Sequence, residues 1–281
     1  MRLANLDGRP VIVTDVDPDH DLVTVADLAA HGGYTFEDVF DRWDEVLDVA
    51  DAIDDAATTT VADARLGPPS PRPRQVFAIG LNYAAHAAES GQPVPEHPTT
   101  FTKFPTCITG PHVVVELPSE SVDYEIELVV VIGRRARRAK AATAWNHVAG
   151  LMVGQDLSER VVQLRPPAPQ FSLGKSFPGF GPTGPWLVTP DEFDDADDLE
   201  LTCRLNAEVV QSSRTSDLIF SVAEIIERVS AITPMLPGDL VFTGTPSGVG
   251  MGRTPPRYLR PGDVLESTIE GIGTIVTALS G

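Results

Sequence analysis

The run Asp123-Tyr124-Glu125-Ile126-Glu127-Leu128-Val129-Val130-Val131-Ile132-Gly133 opens with alternating acidic and apolar residues and then becomes wholly apolar. Side chains of a strand alternate faces, so Glu125 and Glu127 share one face while Tyr124, Ile126 and Leu128 share the other. The pattern predicts a buried strand with two carboxylates at its mouth. An isolated E-x-E is most often the solvated side of a half-buried strand. Buried, the two acids would repel unless positive charge sat between them.

Short apolar runs bounded by Asp-rich turns predict strands from Arg2 to Val25, and Val46, Val49, Ala50 and Ile53 follow the helical period across Trp43 to Asp54. The prolines of Gly67-Pro68-Pro69-Ser70-Pro71-Arg72-Pro73-Arg74 fix their own φ and restrain their predecessors, which predicts a stiff connector. The expected organisation is a small N-terminal domain (1–66), a linker (67–74) and a larger second domain (75–281). There, short β-runs dominate, and Leu236-Pro237-Gly238-Asp239 and Arg260-Pro261-Gly262-Asp263 read as turns that launch strands. Helical patches are few: Tyr83 to Ser90, Ala142 to His147 and Ser221 to Ile232.

With 281 residues, 42% of them hydrophobic, the chain can bury a full core. Its apolar runs fall far short of the roughly 20 residues of a spanning helix, and no signal-peptide pattern opens it, so a cytoplasmic protein without membrane contact is expected. A formal net charge of -19 repels phosphate backbones and anionic lipid, which argues against nucleic acid as a partner. The charge is uneven: residues 1–70 hold 16 Asp/Glu against 4 Arg, so the later part can still receive a small anion. Cys107 and Cys203 are too few and too far apart for a thiolate metal site or a disulfide framework.

Four segments carry candidate chemistry. His86 and Glu89, three residues apart in a short helix, share a face, where the carboxylate can orient an imidazole as general base; such a pair is also a common surface pair. Asp156 ends the β-run before Leu157-Ser158-Glu159-Arg160, either as a third carboxylate or as a plain N-cap. Three carboxylates without histidine or thiol favour a hard divalent cation, Mg²⁺ or Mn²⁺. Lys175 lies among glycines and aromatics in Gly174-Lys175-Ser176-Phe177-Pro178-Gly179-Phe180, where a buried ammonium needs an anion and suits enolate or carboxylate stabilisation. Thr243-Gly244-Thr245-Pro246-Ser247-Gly248-Val249-Gly250 offers hydroxyls and backbone N–H groups to an anion but lacks the ending of a P-loop.

In this order, together with Gly80-Leu81-Asn82-Tyr83, Phe101-Thr102-Lys103, Gln155-Asp156, Thr215 to Phe220 and Pro237-Gly238-Asp239, these segments resemble the fumarylacetoacetate hydrolase family from roughly Val76 to Val276. The resemblance implies a mixed, mainly β fold, a β-roll or β-sandwich, with a small α+β N-terminal domain. It implies that Glu125, Glu127 and Asp156 bind Mg²⁺ or Mn²⁺ and that His86 and Glu89 lie on a mobile lid. Lys175 then acts on a small anionic oxo acid, with Lys103, Arg160, Gln163 and Thr245 at the substrate, in a homodimer. Val161, Ala207 and Ser176-Phe177-Pro178-Gly179 depart from the family pattern near the expected pocket wall. The expected reaction is metal-dependent hydrolysis of a C–C bond in a 2,4-diketo acid, of acylpyruvate or fumarylpyruvate type, giving pyruvate and a carboxylic acid. Alternatives are oxaloacetate decarboxylation, hydration or isomerisation of an unsaturated 2-oxo acid, and a non-catalytic metal-stabilised protein.

Overall fold

The computed structural model describes residues 1–53 and 58–281. Its main sheet runs in the order Thr58–Ala62, Leu22–Asp27, Arg9–Asp17, Arg2–Leu6, Gly181–Val188, Val148–Gln155, Ile126–Ile132, Leu240–Phe242, Val76–Gly80, Thr99–Thr102. A second sheet, Glu208–Arg214, Glu200–Leu205, Val264–Ile269, Gly273–Ser280 and His112–Glu116, packs against its middle strands. The fold is mixed and mainly β, as the sequence implies.

Ile126–Ile132 explains why the apolar run is continuous: both of its faces are covered. Ile126, Leu128 and Val130 pack toward Leu201, Leu265 and Ile275 of the second sheet. Val129 and Val131 pack toward Leu28, Phe40, Trp43 and Val46 of the N-terminal part. The N-terminal strands therefore extend the main sheet, Arg2–Leu6 pairing antiparallel with Gly181–Val188. Leu66–Gly67, at the start of the proline-rich segment, pairs back onto Arg2–Leu6.

The helix predicted over Trp43 to Asp54 runs Trp43–Ala50, and Asp54 lies outside the described residues. Val222–Ser230 is closed by a reciprocal cap between Ser221 and Glu224. The two Pro-Gly-Asp turns repeat one device. Gly238 and Gly262 take φ of 81° and 89°, and Asp239 and Asp263 accept the N–H of Leu236 and Arg260 at 2.7 and 2.8 Å. No helix among the described residues is long and apolar enough to cross a membrane.

Candidate active site

The antiparallel register sets Ile126 opposite Gln155 and Glu127 opposite Gly154, and Asp156 N–H donates to Glu125 O at 2.9 Å. Pairing thus brings Glu125, Glu127 and Asp156 to one strand end, all three buried, each offering a carboxylate oxygen within 4.8 Å of the others. They line a cavity of about 440 Å³ together with His86, Arg160, Gln163, Lys175 and Thr245. Asp156 is not a helix cap: Glu159 accepts the N–H of Val162 at 2.6 Å and caps Arg160–Gln163.

Positive charge is distributed unequally over the trio. Lys175 Nζ donates to Glu125 Oε2 and Asp156 Oδ2, both at 2.6 Å, and to Ser158 Oγ at 2.8 Å. Arg160 Nη1 reaches Glu125 Oε1 at 2.8 Å and Gln163 Oε1 at 2.9 Å. Burial alone would raise the Glu125 pKa, but Lys175 and then Arg160 outweigh it and hold the carboxyl at about 2. Burial likewise disfavours the Lys175 ammonium, yet Asp156 and Glu125 raise its pKa, so it stays charged.

Glu127 forms no ion pair among the described residues and accepts one hydrogen bond, from Gly244 N–H at 2.7 Å. Burial, and then the charges of Asp156 and Glu125, push its pKa well above the usual carboxylate range. A buried all-oxygen set with one under-compensated carboxylate fits a hard divalent cation. Gly244 has φ of 106°, and a Cβ there would lie 2.7 Å from Asn82 Cβ, so only glycine brings its N–H to Glu127.

Across the cavity, the short helix Ala84–Glu89 carries His86, whose Nδ1 lies 2.7 Å from Glu89 Oε1. The second Glu89 oxygen accepts Gly248 N–H at 2.9 Å. The glycine-rich loop does serve anions through its backbone, but they are the protein's own carboxylates, Glu127, Glu89 and Asp123. Asn82 fastens the base of the helix by hydrogen bonds to Phe220 and Thr243.

Two residues expected at the substrate make hydrogen bonds within the protein, one outside the cavity and one on its wall. Lys103 is fully buried, does not line the cavity, and donates to Asp156 Oδ1 at 2.6 Å, to Phe180 O at 3.2 Å and to Lys175 O. Thr245 lines the cavity, but its hydroxyl donates to Ile126 O and accepts from Gln211 Nε2, both at 2.8 Å. Asp123, Ser158 and Gln211 join the site without a sequence signal of their own, except that Asp123 immediately precedes Tyr124-Glu125.

Residues 75–280 match the family described as fumarylacetoacetate (FAA) hydrolase, C-terminal. The chain is 45% identical over 210 residues to the mitochondrial oxaloacetate tautomerase FAHD2A of Bos taurus, covering 74% of this chain and 67% of that one. A crystal structure of a candidate HpcE protein from Mycobacterium smegmatis shares 50% identity, with a TM-score of 0.91 over 100% of this chain and 99% of that one. Maleylpyruvate hydrolase from Sphingobium sp. SYK-6, in complex with manganese(II) and pyruvate, aligns over the full length of both chains with a TM-score of 0.80 and 25% identity. This chain belongs to the fumarylacetoacetate hydrolase family.

Proposed function

We propose that the chain is a divalent-metal enzyme of 2-oxo acids that moves a proton at the carbon beside the keto group, with keto–enol interconversion of oxaloacetate as the leading reaction. The observation that carries this reading is a single cavity lined by both the carboxylate trio and His86, which Glu89 orients. The bovine oxaloacetate tautomerase supports the choice of substrate. Glu125, Glu127 and Asp156 would hold the cation, which when bound draws electrons from the keto group of a chelating 2-oxo acid.

His86 Nε2 has no protein partner among the described residues and takes the proton from C3, while Glu89 at Nδ1 fixes the orientation of the ring. The C3–H electron pair becomes the C2=C3 double bond, and the former keto oxygen gains the negative charge. Lys175 keeps a fixed ammonium beside the trio, where it stabilises that charge. The proton held at His86 Nε2, exchanged with solvent or not, then passes to the oxygen and completes the enol, and the reverse sequence restores the keto acid.

Hydrolysis of a 2,4-diketo acid is the second reading, supported by the maleylpyruvate hydrolase complex and by the cavity wall. Phe101 and Phe171, with ring centroids 5.6 Å apart, line it with Ile79, Leu81 and Met251 and suit an acyl chain. In that reaction His86 takes its proton from water as the water attacks the distal carbonyl. Mn²⁺-loaded protein should be mixed with oxaloacetate in D₂O and, separately, with acetylpyruvate. Accelerated deuterium entry at C3 of oxaloacetate supports the first reading, pyruvate release from acetylpyruvate alone the second, and silence in both assays overturns the two together. Release of CO₂ and pyruvate from oxaloacetate would assign decarboxylation instead.

A further inference from the structure

Among the described residues no hydrogen bond joins the carboxylate trio to the His86–Glu89 pair, yet both are tied to one buried acid. Asp123 is fully buried. Its Oδ1 accepts the N–H of Gly250 at 2.7 Å and of Tyr124 at 2.9 Å. Its Oδ2 accepts the N–H of Met251 at 2.9 Å, Arg160 Nε at 2.9 Å and Arg160 Nη2 at 2.7 Å.

From there two arms reach the chemistry. One runs through Arg160 Nη1 to Glu125 at 2.8 Å. The other runs along the glycine-rich loop to Gly248 N–H, which holds Glu89 at 2.9 Å, and so to His86 at 2.7 Å. The loop approaches both acids too closely for a side chain: a Cβ on Gly250 would lie 2.7 Å from Asp123 Oδ1, and one on Gly252 would lie 2.9 Å from Glu89 Oε2.

We propose that Asp123 is a positioning residue that sets the acid–base pair and the metal-binding carboxylates relative to each other. A buried carboxylate is an acceptor on both oxygens, and here one oxygen serves the loop while the other serves mainly the guanidinium. An amide of the same shape has one acceptor and an NH₂ group. Asp123→Asn can therefore satisfy the loop or Arg160, and must face N–H groups with N–H groups on the other side.

The kinetic test rests on the catalytic reading above and uses the full Mn²⁺-loaded chain with whichever of oxaloacetate and acetylpyruvate it turns over. Asp123→Asn should lower kcat by about tenfold or more while KM changes by less than about threefold, the pattern of lost transition-state alignment. Combined with Glu89→Gln, it should cost no more than about threefold beyond Glu89→Gln alone, because both changes disturb the one alignment of His86 with the carboxylate trio. Losses that multiply in full, or an Asp123→Asn variant as active as the parent, overturn the proposal.

A second readout needs no turnover. In Mg²⁺-loaded protein the imidazole ¹⁵N resonances of His86, assigned with His86→Gln, should shift in Asp123→Asn while the circular dichroism is unchanged. Unshifted resonances overturn the proposal even if no substrate is found, whereas a parent protein silent on both substrates overturns only the functional reading. If Asp123→Asn does not fold, Arg160→Lys and Glu89→Gln, at the two ends of the network, replace it in the cycle, and independent losses there overturn the coupling.

Discussion

Glu125 and Glu127 stand two residues apart at one strand end and are driven in opposite directions. Glu125, held by Lys175 and Arg160, ionises at about 2 in spite of its burial. Glu127 has burial, Asp156 and Glu125 against it and is pushed well above the ordinary carboxylate range. The chain's own cations neutralise part of the trio, and the deficit is concentrated at Glu127.

The two shifts predict opposite slopes of stability with pH. The folded metal-free protein holds a proton on Glu127 that the unfolded chain releases at about 4.5, so stability falls as pH rises from there toward the folded value. The contribution of Glu125 is complete above about 4.5 and is lost as pH falls from there toward about 2. Thermal unfolding in EDTA should show Tm declining above the carboxylate range, with a shallower decline in Glu127→Gln and in saturating Mn²⁺. Parallel curves for the three samples would remove Glu127 as the source.

Glu127→Gln separates stability from metal binding. It removes a carboxyl whose ionised form is under-compensated when buried, so above the ordinary carboxylate range metal-free Tm should stay level or rise. Calorimetric Mn²⁺ affinity should fall by more than the roughly 10–100-fold typical of a change behind the ligands. Unaltered affinity would exclude Glu127 from the metal site.

His86→Ala should lower turnover by about 10²–10⁴-fold, the usual contribution of a positioned acid–base group, and leave Mn²⁺ affinity unchanged. His86 is bonded to Glu89 and to none of the trio. Retained activity in stopped-flow assays would take proton transfer away from this residue.

The legible parts of the fold are those with local causes. The apolar run at 128–132 marks a strand covered on both faces, Pro-Gly-Asp marks two turns, and Ser221 with Glu224 marks a helix start. The trio was legible because strand alternation aligns Glu125 with Glu127 and the next strand returns Asp156 to them. Pairing of Arg2–Leu6 with Gly181–Val188 has no local signature, since it joins residues far apart in sequence through backbone groups common to every strand. The same limit hid Asp123, which acts by accepting backbone N–H groups from a loop more than a hundred residues away.

Lys103 discriminates between a substrate contact and a structural cation. Its ammonium lies 2.6 Å from Asp156 Oδ1, donates to the carbonyl oxygens of Lys175 and Phe180, and does not line the cavity. Lys103→Met keeps the length of the side chain but removes the charge, leaving Asp156 dependent on Lys175 alone. Breaking one side of a buried pair typically costs about 3–5 kcal/mol, and urea unfolding should register a loss of that order. Saturating Mn²⁺ should restore part of it, because a cation at the trio compensates Asp156 again. A variant with unchanged urea midpoint and a raised KM would instead put Lys103 at the substrate.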